Sequence, residues 1–269
     1  MSHQFYNQGQ SGGAAEAYEQ YFVPAIGRPI AQDLIDVAML RSGERVLDVA
    51  CGTGVLTRLA AERVGDAGSV TGLDVDASML EVARSVAPAG ASIEWEETTA
   101  EAIPYEDEHF DVVLCQMGLQ FIANKLTALR EMRRVLAPGG RVALNVPGPT
   151  PPMFSIVADA LARHIHPDLG SKMHLVFSLH DPSELRELMS NAGFSDVNSI
   201  RASKTLRLPP AEEFLWQYIG ATPLSLAFAE LNDETRAAFE RDVCEKWKEF
   251  CVNGELTLQV GMTTATARK

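Results

Sequence analysis

The chain is predicted to fold as an open, doubly wound α/β sheet, mostly parallel, with helices on both faces. Three observations point there. Between residues 45 and 146, short apolar runs alternate with segments of helical periodicity, a pattern that implies parallel strands joined by right-handed crossovers. The first run, 46–50, opens into the turn Cys51-Gly52-Thr53-Gly54, after which Leu56, Leu59, Ala60 and Val64 recur at helical spacing. The second run, 69–73, ends in Asp74, 20 residues beyond Gly54. At that distance in a nucleotide-type βαβ unit a strand-end carboxylate takes the two hydroxyls of a ribose.

The elements follow in order. Residues 14–21 and 29–39 read as two helices of an N-terminal arm, 1–40, with Tyr18, Tyr21 and Phe22 clustered. Residues 1–13 are polar and glycine-rich, show no leader pattern, and are expected to be loose over 8–13. After the turn, Gly52 and Gly54 let the backbone bend and let a ligand approach the main chain. Asp76 is placed to cap a helix over 77–86. Strands are expected at 92–96, 110–115 and 141–146, with a helix at 124–136 stopped by Ala137-Pro138-Gly139-Gly140. Pro147 to Pro152 is a break, Asp181-Pro182-Ser183-Glu184 starts a helix that ends near Asn191, and 196–208 and 255–267 read as the last strands. Residues 147–180 and 209–254, mostly helical, are expected to cap the carboxyl ends of a core at 41–146, all within one domain of 269 residues.

A dinucleotide fingerprint would place a third glycine at position 57, where Thr57 stands, and no basic residue between Asp48 and Thr57 could meet a pyrophosphate. Asp48 brings a carboxylate instead, which repels phosphate and favours a cation. S-adenosyl-L-methionine has a ribose, a sulfonium and an ammonium, and no phosphate. On these residues the chain resembles the class I S-adenosylmethionine-dependent methyltransferases, in particular the small-molecule and quinone-methylating group. Residues 46–54 are similar to the family's first motif, Gly72-Leu73-Asp74-Val75-Asp76-Ala77-Ser78-Met79-Leu80 to its second, and Leu136-Ala137-Pro138-Gly139-Gly140 to a further hallmark. The resemblance covers about residues 45–146.

It implies a Rossmann-like sheet of seven strands ending in an antiparallel C-terminal strand, with S-adenosyl-L-methionine as cofactor and S-adenosyl-L-homocysteine as its product. The implied cofactor contacts are Asp48, Ala50, Cys51, Gly52, Gly54, Asp74, Val75, Met79, Thr99, Ala100 and Gln116. The family pattern has glycine at Ala50 and aspartate at Thr99. Arg28 is a candidate counterion for the methionine carboxylate, with a solvated surface arginine as the other reading.

Methyl transfer needs alignment and water exclusion, and a general base only where the nucleophile arrives protonated. Gln116 and Gln120, which can donate and accept, are candidates after the fourth strand, and His164 and His166 are candidates in the first cap segment. Neither the Asn/Asp-Pro-Pro-Tyr/Phe motif of DNA amino-methylating enzymes nor the magnesium aspartate of catechol-type enzymes is present. No metal site is expected. Met153, Phe154, Phe177, Phe214, Trp216 and Tyr218 either line an apolar acceptor pocket or pack cap against sheet. Cys51, Cys115, Cys244 and Cys251 form no CxxC pair and read as reduced core thiols, which with the absence of a leader suggests a cytoplasmic protein.

A net charge of −13 makes nucleic acid a poor partner. No apolar run reaches the roughly 18 residues of a membrane span. The expected activity is methyl transfer to a small organic acceptor at oxygen, nitrogen or carbon. A quinone or lipid C-methyltransferase and a non-catalytic S-adenosylmethionine-binding module are the alternatives; the oligomeric state is left open.

Overall fold

A computed structural model describes residues 12–269. Its strands are β1 (Arg45–Val49), β2 (Ser69–Asp74), β3 (Ile93–Glu97), β4 (Phe110–Gln116), β5 (Leu136–Pro147), β6 (Ser195–Leu208), β7 (Cys251–Val252) and β8 (Glu255–Arg268). They form one sheet in the order β3-β2-β1-β4-β5-β8-β6, with the short β7 paired to β8. The strands β1 to β5 pair in parallel, and β8 runs antiparallel to both β5 and β6. The expected seven-stranded sheet is therefore present, with β7 as an added two-residue strand.

Helices cover both faces because the strands alternate two apolar faces. Val46, Val70, Val112, Leu114 and Ala143 pack on α2 (Arg28–Ala38) and α3 (Val55–Val64), with α1 (Gly12–Ala17) further along the chain toward the N-terminus. Their strand neighbours Leu47, Leu73, Val113, Val142 and Leu144 form a second core. That core meets α5 (Lys125–Val135) and α8 (Pro182–Asn191), while α4 (Ala77–Val86) follows β2. Asp76 and Asp181 cap their helices as the sequence suggests, accepting from the N–H groups of Ser78 (2.9 Å) and Ser183 (2.7 Å).

A third core lies beyond the sheet. β6 and β8 stay paired out to Leu208↔Leu256, whereas β5 reaches only Met262 on β8. Leu206, Leu208, Leu256 and Leu258 on this extension pack with α6 (Pro152–His164), α9 (Ala211–Gly220) and α11 (Asp233–Trp247). The short helices α7 (Pro167–Leu175) and α10 (Leu224–Ala229) flank them. Trp247 is fully buried, and its Nε1–H donates to the Met153 carbonyl at 2.9 Å, joining α11 to α6.

Some local expectations change. The two arm helices are joined by a π-helical stretch, Tyr18–Gly27, that contains Pro24. Proline has no N–H and crowds the carbonyl four residues back, and a wider turn accommodates it. The looseness expected at 8–13 falls, up to residue 11, outside the described residues, while Gly12 and Gly13 belong to α1. Residues 136–140 are part of β5, since Leu136 pairs with Phe110, and Asn124 caps α5 instead of starting it. Cys251 is exposed on β7, because α11 ends at Trp247 before reaching it.

Candidate active site

The carboxyl ends of β1, β2 and β4 border a cavity of about 670 Å³. On one side stands the turn after β1. Its backbone takes left-handed conformations at Ala50 (φ 56°), Gly52 (φ 55°) and Gly54 (φ 80°). A side chain at Gly52 would meet nothing within 4 Å, so the main chain itself borders the cavity there. Gly54 serves a different purpose from the expected ligand approach and does not line the cavity. A Cβ on it would sit 2.4 Å from the Trp95 ring, and one on Gly72 would sit 2.6 Å from the same indole. The two glycines thus seat Trp95 of β3 behind the turn.

Two carboxylates face this side. The Asp74 oxygens accept from Gly52 N–H at 2.8 Å and Asp76 N–H at 3.0 Å, which fixes the orientation of the group. Burial raises its pKa above the ordinary carboxylate value, against the pull of those N–H groups. Asp48 is fully buried. Thr57 donates its hydroxyl to Asp48 Oδ2 at 2.6 Å, and Oδ1 has no partner. Burial pushes Asp48 from 3.8 up to about 7; the Thr57 hydrogen bond opposes this and the Asp74 charge adds to it. Thr57, noted in the sequence only as a missing glycine, therefore orients Asp48. The Thr53 hydroxyl is likewise buried and unpaired.

The arm closes a second side. Tyr18 and Phe22 line the cavity and stack with ring centroids 4.6 Å apart. Between them Glu19 accepts from Arg58 at 2.6 Å, and Arg58 donates to the Thr53 carbonyl at 2.6 Å, which ties arm to turn. After β4, Met117 lines the cavity in a left-handed conformation (φ 48°). Its N–H is shared by the Asn145 carbonyl at 2.9 Å and Asn145 Oδ1 at 3.1 Å, and its carbonyl accepts from Gln120 Nε2 at 2.7 Å. Gln116 Nε2 donates to the Gly27 carbonyl at 3.0 Å. Lys172, Met173, Val176, Tyr218, Thr222 and Leu224 supply part of the remaining wall.

Asp48, Ala50, Cys51, Gly52, Asp74, Val75, Met79, Thr99, Ala100, Gln116 and Gln120 thus meet at one cavity. Thr99 uses its hydroxyl locally, accepting the Glu101 N–H at 3.2 Å. Arg28 is exposed and lies outside the lining, because the π-helical stretch turns its side chain to the surface. His164 and His166 lie outside it too. His164 is 3.0 Å from Asp242 on α11, and His166 caps α7. Of the six cap residues expected either at the pocket or in packing, only Tyr218 borders the cavity; Met153, Phe154, Phe177 and Phe214 are buried in the cap core and Trp216 packs against it. The arm and 172–176 contributions had no spacing signal, since they depend on chain segments distant in sequence. Burial pushes Cys115 up to about 12 and Cys51 well above its ordinary value, so neither thiol is ionised at neutral pH.

These residues fit S-adenosyl-L-methionine. Asp74 presents two anchored oxygens for a ribose, the unpaired Asp48 Oδ1 can face a cation, and Gly52 leaves room at the main chain. Among the described residues no group of three or more His, Cys, Asp and Glu could hold a metal, and no helix is long and apolar enough to cross a membrane.

Comparison with known proteins gives the family. The chain is 38% identical over 179 residues to the ubiquinone/menaquinone biosynthesis C-methyltransferase UbiE of Pectobacterium carotovorum, a match spanning 61% of this chain and 71% of that protein. It is 39% identical over 178 residues to UbiE of Pseudomonas syringae pv. tomato, covering 61% and 70%. In fold it is similar to a Haemonchus contortus phosphoethanolamine N-methyltransferase 2 solved with S-adenosylhomocysteine, with a TM-score of 0.64, 19% identity, and coverage of 100% of this chain and 60% of that one. Residues 26–204 match the family pattern itself, which identifies the chain as a member of the ubiE/COQ5 methyltransferase family, an S-adenosylmethionine-dependent methyltransferase.

Proposed function

We propose that the enzyme methylates a ring carbon of a small, apolar, quinone-type acceptor. The observation that carries this is the share of the lining from Phe22, Met117, Phe121, Met173, Val176 and Leu224, an apolar, partly aromatic surface that also includes Lys172. Such a wall suits a flat hydrophobic ring better than a phosphorylated amine or a nucleic acid, and the net charge of −13 also disfavours the latter. The UbiE relatives, named for quinone biosynthesis, support the same class.

Bound S-adenosyl-L-methionine supplies an electrophilic methyl group on a sulfonium. Asp74, set by the Gly52 and Asp76 N–H groups, orients the ribose. Asp48, held by Thr57, faces the cationic end. The dry wall of Phe22, Met117 and Tyr218 excludes water and favours a displacement in which the sulfonium charge disperses. The cap and arm segments act as covers, and the free cysteines fit a cytoplasmic protein.

A second reading keeps the chemistry and changes the acceptor. Tyr218, Thr222 and Leu224 lie outside the matched residues 26–204, so part of the acceptor wall lies beyond the region shared with the family pattern. Purified enzyme with methyl-labelled S-adenosyl-L-methionine should be offered a prenylated 1,4-naphthohydroquinone, catechol and phosphoethanolamine. Label is expected on the naphthohydroquinone ring carbon. Transfer to either of the others with the ring left untouched would refute the ring-carbon reading.

A further inference from the structure

Two buried amide oxygens at the cavity have no partner. Gln120 is almost fully buried, and its Oε1, like that of Gln116, makes no hydrogen bond. The orientation of each amide is set by its nitrogen. Gln116 Nε2 donates to the Gly27 carbonyl and Gln120 Nε2 to the Met117 carbonyl. Flipping either amide would set oxygen against oxygen. Both residues therefore keep a buried, unpaired acceptor, and both residues line the cavity.

A buried acceptor left unmade is costly, and a donor from a ligand relieves it. The cofactor's cation and ribose are provided for by Asp48 and Asp74 on the β1–β2 side. Gln116 ends β4 and Gln120 follows it, next in the chain to Met117, Phe121 and Ile122 of the cavity lining.

We propose that Gln120, with Gln116, is a specificity-determining residue that admits the acceptor in a hydroxyl-bearing form and rejects its carbonyl or ether counterpart. The proposal rests on the ring-acceptor reading above. A ring hydroxyl donates to Oε1, whereas a ring carbonyl would bring a second acceptor against it. The chemistry agrees. A hydroxyl-bearing ring is electron-rich, so its carbon can form the new C–C bond as the sulfur–methyl bond breaks. The electron pair of that bond returns to sulfur, the ring carbon then loses its proton to solvent, and no oxidant or reductant is consumed. A site built to pair a hydroxyl discriminates strongly against an analogue that lacks it.

Calorimetric titration under anaerobic conditions, with S-adenosyl-L-homocysteine present, compares 1,4-dihydroxynaphthalene with 1,4-dimethoxynaphthalene. The native enzyme should prefer the diol by about tenfold or more, and Gln120→Met, which keeps the side-chain length without the acceptor, should cut that ratio to about threefold or less. Comparing ratios between proteins cancels the different hydration of the two ligands. Retained S-adenosyl-L-homocysteine binding shows that the variant is folded; if it is lost, Gln116→Met carries the same test. Equal binding of diol and ether by the native enzyme, or an undiminished ratio in the folded variant, overturns the proposal while leaving the ring reading intact. Failure of both ligands to bind the native enzyme overturns both.

Discussion

Ala50 occupies a left-handed backbone position (φ 56°), and its side chain packs against Gly118. A methyl added to Gly118 would lie 2.5 Å from the Ala50 Cβ, so position 118 has to stay small beside Ala50. Gly118→Ala alone should cost about 1–3 kcal/mol through overpacking. Combining it with Ala50→Gly should recover most of that loss, since the backbone at Gly118 (φ −109°) accepts a side chain. Denaturant melts of the four proteins measure the coupling; strictly additive losses would show that the two positions do not share one space. Asp48 gives a pH prediction. A carboxylate raised from 3.8 to about 7 favours the ligand-free fold fully below pH 4, and this contribution is lost as pH rises through about 7. At about 1.4 kcal/mol per pH unit, the loss is roughly 4 kcal/mol. Asp74, raised in the same direction, adds to it with the same sign. A cationic ligand favours the ionised form, so affinity for S-adenosyl-L-methionine should fall as pH drops below 7, by up to about tenfold per unit. Asp48→Asn should flatten most of that slope in calorimetric titrations between pH 5.5 and 8; an unchanged slope would show that another group titrates.

At the scale of elements, the arm and the turn are joined by a partly buried ion pair. Arg58 and Glu19 are 12% and 19% exposed, and the second Glu19 oxygen is unpaired. Because Arg58 also holds the Thr53 carbonyl, the position of the Tyr18–Phe22 pair is linked to the shape of the glycine turn. A ligand that orders the turn should therefore order the arm. Amide exchange over residues 14–28 is expected to slow when S-adenosyl-L-homocysteine is added. In Arg58→Met this protection should shrink and the KM for the cofactor should rise severalfold, with the sheet's own protection unchanged. Equal exchange with and without ligand would show that the arm is not a cover. The β6–β8 extension is a second such device, since it lifts α9 and α11 beyond the sheet and brings Tyr218 and Leu224 to the cavity.

For the whole molecule, turnover without a metal is the expectation to test. Among the described residues the histidines at 164, 166, 174 and 180 are engaged with Asp242, the α7 N-terminus, Thr150 and the Phe177 carbonyl. Turnover should be unchanged by EDTA; loss that magnesium restores would contradict this. The sequence by itself determined the parallel sheet, the helices at 55–64 and 77–86, and the meeting of Asp48, Gly52 and Asp74. Those features follow from alternation and spacing within a short stretch, where neighbouring residues in sequence are neighbours in space. Only the tertiary structure decided which remote side chains share the cavity. It assigned Gly54 to Trp95, turned Arg28 to solvent, drew His164 to Asp242, and set Tyr18, Met173 and Tyr218 around the site. The physical reason is that such contacts depend on how separate apolar cores dock, and side-chain packing across distant segments leaves no period or spacing in the chain.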